Sequence, residues 1–219
     1  MINIIKSVDN PKILVVTPLL PDHTISKITK KTLKRNNVPF YWISSSGKKN
    51  IPSNAVDGIK WYKAIYKRLP SYYMMIDRDI EAGKGLLDKL YKKLDKQSDN
   101  VGYCYAGFEF KGHVNVNFPA IPFDINRLIR SNYISSNSMF RSNVIETVKL
   151  VTDDKYKRLL DWAFLLKCLG FGYVGVPESN ANFIAHSTKN DVSAGSNNDY
   201  MLKYQRVFND FIKPLIKNA

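Results

Sequence analysis

Four short apolar runs, separated by stretches of helical periodicity, constrain this chain more than any other feature: residues 12–17, 38–43, 72–76 and 101–108. An apolar run without alternation reads as a strand covered on both faces. Strands that alternate with amphipathic helices predict an α/β domain with a largely parallel central sheet and right-handed crossovers. The intervening helices are expected at about 24–36, capped by Asp22 or Thr24, at about 54–69, and around Leu86, Leu87, Leu90, Tyr91 and Leu94. Beyond Phe108 the pattern changes. Val114, Val116 and Phe118 alternate with Asn115 and Asn117, as in a half-buried antiparallel or edge strand. Further helices are expected at about 142–150 and 155–169, and short strands at 173–176 and 183–185. A polar loop at 186–198 then leads to a last helix built on Met201, Tyr204, Phe208, Phe211 and Leu215. A length of 219 residues, with neither internal repeat nor linker, suits one domain: a first half at 1–110, a second at 111–198 and a C-terminal helix at 199–219.

The third run ends in chemistry. Tyr72-Tyr73-Met74-Met75-Ile76 leads straight into Asp77-Arg78-Asp79. The Asp-x-Asp spacing by itself carries little weight in a chain with this many aspartates. Its position does, because α/β sheets bind ligands at the carboxyl ends of their strands. If strand geometry persists to the tip, both carboxylates face one site and Arg78 turns away. Paired hard oxygen ligands suit Mg²⁺ or Mn²⁺ shared with a phosphate group.

Composition narrows the partners. Lys and Arg number 33 against 19 Asp and Glu, and a net charge of +14 points to an anionic partner: nucleic acid, a phosphorylated polymer or an acidic membrane surface. Part of that charge falls in helical stripes, Lys27, Lys30, Lys31, Lys34 and Arg35 on one helix and Lys60, Lys63 and Lys67 on the next. A solvated outer face is the favoured reading of such a stripe, with polyanion contact as the alternative. No apolar run is long enough to cross a bilayer, and the first six residues are too few and too polar for a signal peptide. Peripheral membrane contact remains compatible with the charge. Cys104 and Cys168 lie in apolar surroundings without metal or redox spacing, so a reduced, cytoplasmic protein is expected. There is no Walker A loop, no G-x-S-x-G elbow and no zinc-spaced Cys/His set. Gly170-Phe171-Gly172-Tyr173-Val174-Gly175 matches G-x-G-x-x-G in letters, but a helix precedes it and a strand follows. That is the inverse of a dinucleotide site, and Gly170 reads as a helix C-cap.

Two further residues are candidates for chemistry. Asp161 lies among Leu159, Leu160, Trp162 and Ala163 near a helix start. Partial desolvation there would raise its pKa and make it a competent general base, while an exposed aspartate paired with a lysine is the equal alternative. His186 follows a strand-like segment and opens a polar loop. Bracing that loop is the commoner role for such a histidine, and metal ligation the sharper one.

Taken in order, these pieces resemble a GT-A-fold glycosyltransferase, most similar to glycosyltransferase family 2, over roughly residues 12–195. Lys12-Ile13-Leu14-Val15-Val16-Thr17-Pro18 resembles the opening strand, and Met74-Met75-Ile76-Asp77-Arg78-Asp79 the strand with the Asp-x-Asp metal motif. Leu160-Asp161-Trp162 with Gly172-Tyr173-Val174-Gly175-Val176-Pro177-Glu178 resembles the Glu-Asp helix and the Gly-Tyr…Ile-Pro-Glu strand after it. His186-Ser187, continuing to Ser193, resembles the closing His…Ser segment. The resemblance implies a nucleotide-sugar donor held by Thr17, Pro18, Ser44, Arg78 and Asp77, with no specific role for Arg78. It implies Mn²⁺ or Mg²⁺ on Asp79, with Asp77 and His186 as further ligands, and Asp161 as the base that deprotonates a hydroxyl acceptor. Met139-Phe140-Arg141 would line the acceptor side, and one displacement would invert the anomeric carbon. The chain departs from the family pattern in three places. Ser44-Ser45-Ser46-Gly47 stands where an acidic base-reading motif is usual, Leu160 replaces a Glu, and Val151-Thr152-Asp153-Asp154 replaces a Gly-rich acidic loop. The basic charge suggests an anionic acceptor, such as modified DNA, a phosphate-bearing glycan or a lipid-linked substrate. The rival from another class is an inactive module of the same fold that binds nucleic acid or another polyanion. A sugar-phosphate nucleotidyltransferase ranks last, because the Gly-rich loop after its first strand is missing.

Overall fold

The computed structural model describes residues 1–113, 115–187 and 197–217. Among them nine strands form one sheet: β1 (Ile2–Lys6), β2 (Ile13–Leu19), β3 (Phe40–Ser46), β4 (Tyr72–Met75), β5 (Ile80–Ala82), β6 (Val101–Gly112), β7 (Val116–Phe118), β8 (Met139–Arg141) and β9 (Val174–Ser187). The helices are α1 (Lys27–Leu33), α2 (Ile51–Tyr66), α3 (Leu86–Asp95), α4 (Ile125–Arg130), α5 (Ser142–Val148), α6 (Leu160–Gly170), α7 (Asn197–Val207) and α8 (Lys213–Lys217).

The apolar runs are unbroken because both faces of the sheet are covered. All seven residues of β2 are buried. With side chains alternating along the strand, Leu14 and Val16 join one core while Ile13 and Val15 join the other. The same split holds in β3, where Tyr41 and Ile43 lie opposite Phe40 and Trp42, and in β4, where Tyr73 lies opposite Tyr72 and Met74. Helices α2, α5 and α6 cover the first face; α1 and α3 cover the second. Contact between α2 and the sheet is close enough to require a glycine, since a Cβ on Gly58 would stand 2.9 Å from Val16 Cγ1.

The sheet order is β1-β3-β2-β4-β8-β6-β9-β5, with β7 added to β6. Strands β3, β2 and β4 are parallel, as are β6 and β9, but β8 runs antiparallel between β4 and β6. Antiparallel β1, β5 and β7 complete a mixed sheet, so the expected parallel pairing holds within two blocks and not across the whole sheet. Met139–Arg141 is too short to display a strand pattern, yet its insertion between β4 and β6 joins the two parallel blocks. The expected pieces at 173–176 and 183–185 are one strand, β9, whose register on β6 shifts between Ala106 and Gly107.

Helix limits also move. Ser26, not Asp22 or Thr24, caps α1 by accepting from the Thr29 N–H at 3.1 Å, while Asp22 takes a left-handed turn at φ 66°. The expected helix at 155–169 is a 3₁₀ turn at Asp154–Tyr156, a break at Arg158 (φ 79°) and then α6. The break puts Asp161 in the first turn of α6. In the last helix Tyr204, Phe211 and Leu215 pack on the core as expected and Val207 and Ile212 join them, while Met201 and Phe208 are exposed. Tyr204 stacks on Trp162 of α6 with ring centroids 5.5 Å apart, and a π-helical turn at Phe208–Ile212 links α7 to α8. Most of the loop expected at 186–198, with Ser193, lies outside the described residues. No helix among the described residues is long and apolar enough to cross a membrane.

Candidate active site

The chain between α4 and β8 builds the site. Asn137 Oδ1 accepts from the Asp77 backbone N–H at 2.8 Å, and its Nδ2 donates to Asp77 Oδ2 at 2.9 Å. Five residues earlier, Asn132 Nδ2 donates to Asp161 Oδ2 at 2.9 Å. One loop therefore holds both aspartates, although they come from the tip of β4 and the start of α6. Asn137 is itself buried and fixed through Ser135, whose Oγ accepts from the Asn137 N–H at 3.1 Å. Asp161 Oδ1 also accepts from the Trp162 N–H at 2.8 Å, and the Trp162 indole donates to Leu128 O at 2.7 Å.

The electrostatics are unfavourable for two carboxylates. Burial pushes Asp77 up to about 6, against the Asn137 hydrogen bond, and the charges of Asp79 and Asp161 push it the same way. Burial likewise raises Asp161, outweighing the Trp162 and Asn132 hydrogen bonds that favour its ionised form. Desolvation also outweighs the helix dipole that should favour a carboxylate in the first turn of α6. Among the described residues no lysine pairs with Asp161, whose carboxylate accepts from Asn132 and acts electrostatically on Asp77.

The strand geometry does not persist through Asp79. β4 ends at Met75, and residues 78 and 79 form a turn before β5. Arg78 O pins that turn to the α1 N-terminus, accepting from the Ser26 N–H at 2.8 Å and the Thr29 hydroxyl at 2.9 Å. β5 pairs with β9 through Ile80 and Ala185, so the same register carried one residue further sets Asp79 across from His186. His186 is half-exposed, its Nε2 3.3 Å from Glu81 Oε2. No group of three or more His, Cys, Asp or Glu poised to hold a metal occurs among the described residues. Asp77 and Asp79 are close enough to perturb one another electrostatically.

Thr17 and Ser44 pair across β2 and β3, and both are buried. The Thr17 hydroxyl accepts from the Trp42 indole at 3.0 Å. Pro18 pairs with Ser45 one step further along, and none of Thr17, Pro18 and Ser44 reaches the two hollows that meet at Asp77 and Asp161. One hollow, of about 320 Å³, runs between the α2 start and α6; the other, of about 270 Å³, lies over Phe108, Phe118 and Phe183. Asn132, Asn137 and Glu81 escaped the sequence reading. In the sequence Ser135-Ser136-Asn137-Ser138 is only a polar run, and its link to Asp77 needs the fold.

A parallel β3-β2-β4 block, an antiparallel β8 and the parallel β6–β9 pair, with aspartates gathered at the β4 tip, define a GT-A-like fold as found in glycosyltransferases. No family model and no curated sequence matches the chain. Among solved structures, S. aureus TarS residues 1–349 in complex with UDP-GlcNAc superposes with a TM-score of 0.59 at 12% identity, over 87% of this chain and 64% of that one. The longer S. aureus TarS structure gives 0.58 at 11% identity, over 91% and 39%. Mannosyltransferase PcManGT from Pyrobaculum calidifontis, in complex with GDP-Man and Mn²⁺, gives 0.56 at 10% identity, over 96% and 65%. The chain spans less than two thirds of the length of each of these structures.

Proposed function

We propose that the chain is an inverting glycosyltransferase that moves a sugar from a nucleotide-sugar donor to a hydroxyl acceptor. One observation carries the reading: Asp77 and Asp161, 84 positions apart, meet on a GT-A-like sheet and are each clamped by an asparagine of one loop. The neighbours crystallised with UDP-GlcNAc and with GDP-Man and Mn²⁺ support a nucleotide-sugar donor. In this reading Asp161 Oδ takes the proton of the acceptor hydroxyl. The freed oxygen forms a bond to the anomeric carbon as the bond to the diphosphate oxygen breaks, and its electron pair leaves with the nucleoside diphosphate. Asn132 keeps the carboxylate aimed. A raised pKa makes Asp161 a stronger base than an exposed aspartate. Asp77 and Asp79 would hold Mn²⁺ or Mg²⁺, with His186 at the margin; the ion supplies positive charge against the leaving diphosphate. Lys27, Lys30 and Lys31 of α1, with Lys34 and Arg35 just beyond it, are exposed and line neither hollow, so they add nothing to this chemistry.

Turnover of radiolabelled UDP- and GDP-sugars, scored as transfer or donor hydrolysis, tests the proposal. Asp161→Asn is expected to lower kcat roughly 10²–10⁴-fold, the usual share of a general base, with donor affinity little changed. Wild-type turnover should rise with pH through a pKa above the ordinary carboxylate range, because only ionised Asp161 accepts the proton. Full activity in Asp161→Asn would sink the assignment.

A further inference from the structure

The hollow between the α2 start and α6 is walled mainly by apolar side chains. At about 320 Å³ it falls at the lower end of small-molecule pockets, which span roughly 300–1,000 Å³. Met75, Phe140, Leu150, Val151, Phe164 and Leu165 form its sides, and Asp77 and Asp161 stand at its polar edge. Tyr73 also lines it and is 1% exposed, and its hydroxyl has no hydrogen-bond partner among the described residues. A phenol buried without a partner is costly, and a ligand atom that meets it removes the cost. Neither Asp79 nor His186, the candidates for holding a diphosphate with its ion, takes part in the lining. Ser135, Ser136 and Arg158 are the further polar members of the lining, so most of the wall would strip water from a ribose or an all-hydroxyl glycan and return no partner.

We infer that this hollow is the acceptor subsite and that the acceptor is amphiphilic: a hydroxyl presented to Asp161, carried on an apolar body that fills the hollow and ends in a polar atom bonded to the Tyr73 hydroxyl. The inference rests on the glycosyltransferase reading and adds the acceptor class to it. The apolar body is compact, because the hollow is small. Rings suit its walls, since Phe140 and Phe164 already sit 5.2 Å apart at a tilt of 52°.

Calorimetric titration of the full chain with methyl β-D-glucopyranoside and with 4-nitrophenyl β-D-glucopyranoside tests this. The aryl group occupies the hollow and its nitro oxygens can accept from Tyr73, whereas the methyl group does neither. The aryl glucoside is expected to bind at least tenfold more tightly. Leu150→Trp, which extends a ring over the hollow from a half-buried position, should erase the difference. Tyr73→Phe, which removes one oxygen, should weaken the aryl glucoside severalfold and leave the methyl glucoside unchanged. Equal binding of the two glucosides overturns the inference, and so does a preference that survives both variants. Should Leu150→Trp fail to fold, Tyr73→Phe decides by itself. UDP and GDP with Mn²⁺, titrated in parallel, separate the two levels. Nucleotide binding without an aryl preference leaves the glycosyltransferase reading standing and removes the acceptor class, while an aryl preference with no nucleotide binding counts against the glycosyltransferase reading.

Discussion

Asn137 grips Asp77 through both its backbone N–H and its carboxylate, and burial still lifts the Asp77 pKa to about 6. The consequence for stability follows by linkage. An unfolded aspartate ionises near 3.8, so between that value and about 6 the folded chain binds a proton that the unfolded chain does not. Above both values the folded state carries a disfavoured charge, at a cost on the order of 2–3 kcal/mol. Asp77→Asn should therefore raise Tm at pH 8 and gain far less at pH 4.5, where the folded carboxyl is already protonated. Thermal melts at the two pH values check this, and a gain that is equal at both, or absent at pH 8, contradicts it. Asp77 and Asp161 were legible in the sequence because each ends or opens an apolar element. Asn132 and Asn137 were not, because an asparagine in a loop announces only a turn; its partner lies 29 positions away in one case and 60 in the other.

At the scale of elements, the strands with unbroken apolar runs were readable because two-sided burial leaves a composition signal. What escaped was short or interrupted. The three residues of β8 pair Met74 with Met139 and Cys104 with Met139, and three residues cannot display a period. β1 lies on an edge and keeps a half-polar composition, so it lacks the signal too. The break before α6 depends on Arg158 adopting φ 79°, a conformation that nothing in an arginine predicts. α2 illustrates the opposite case, a helix whose seat on the sheet hangs on one glycine. Gly58→Ala places a methyl 2.9 Å from Val16 Cγ1 and 3.3 Å from Ser45 Cβ. Overpacking of that kind should destabilise the fold by about 1–3 kcal/mol, visible as a lower urea midpoint with an unchanged m-value. A midpoint equal to the wild type would show that α2 shifts freely on the sheet.

Over the whole molecule, a single mixed sheet brings the tip of a parallel strand, the start of a helix and one asparagine-bearing loop to the same place. The net charge of +14, prominent in composition, lies partly on outer helix faces away from that place. Composition thus spoke of the surface, and the order of elements spoke of the site. The proposed function sets a donor and its ion against these carboxylates, and that meeting is the central claim. Its most direct test is a crystal of the protein soaked with Mn²⁺ and, separately, UDP and GDP. The expected result is a metal peak in anomalous difference density between Asp79 and a bound diphosphate, with Asp161 within reach of the donor-sugar position, and loss of that peak in Asp79→Ala. Nucleotide bound elsewhere on the chain, or a peak that Asp79→Ala leaves intact, would contradict it.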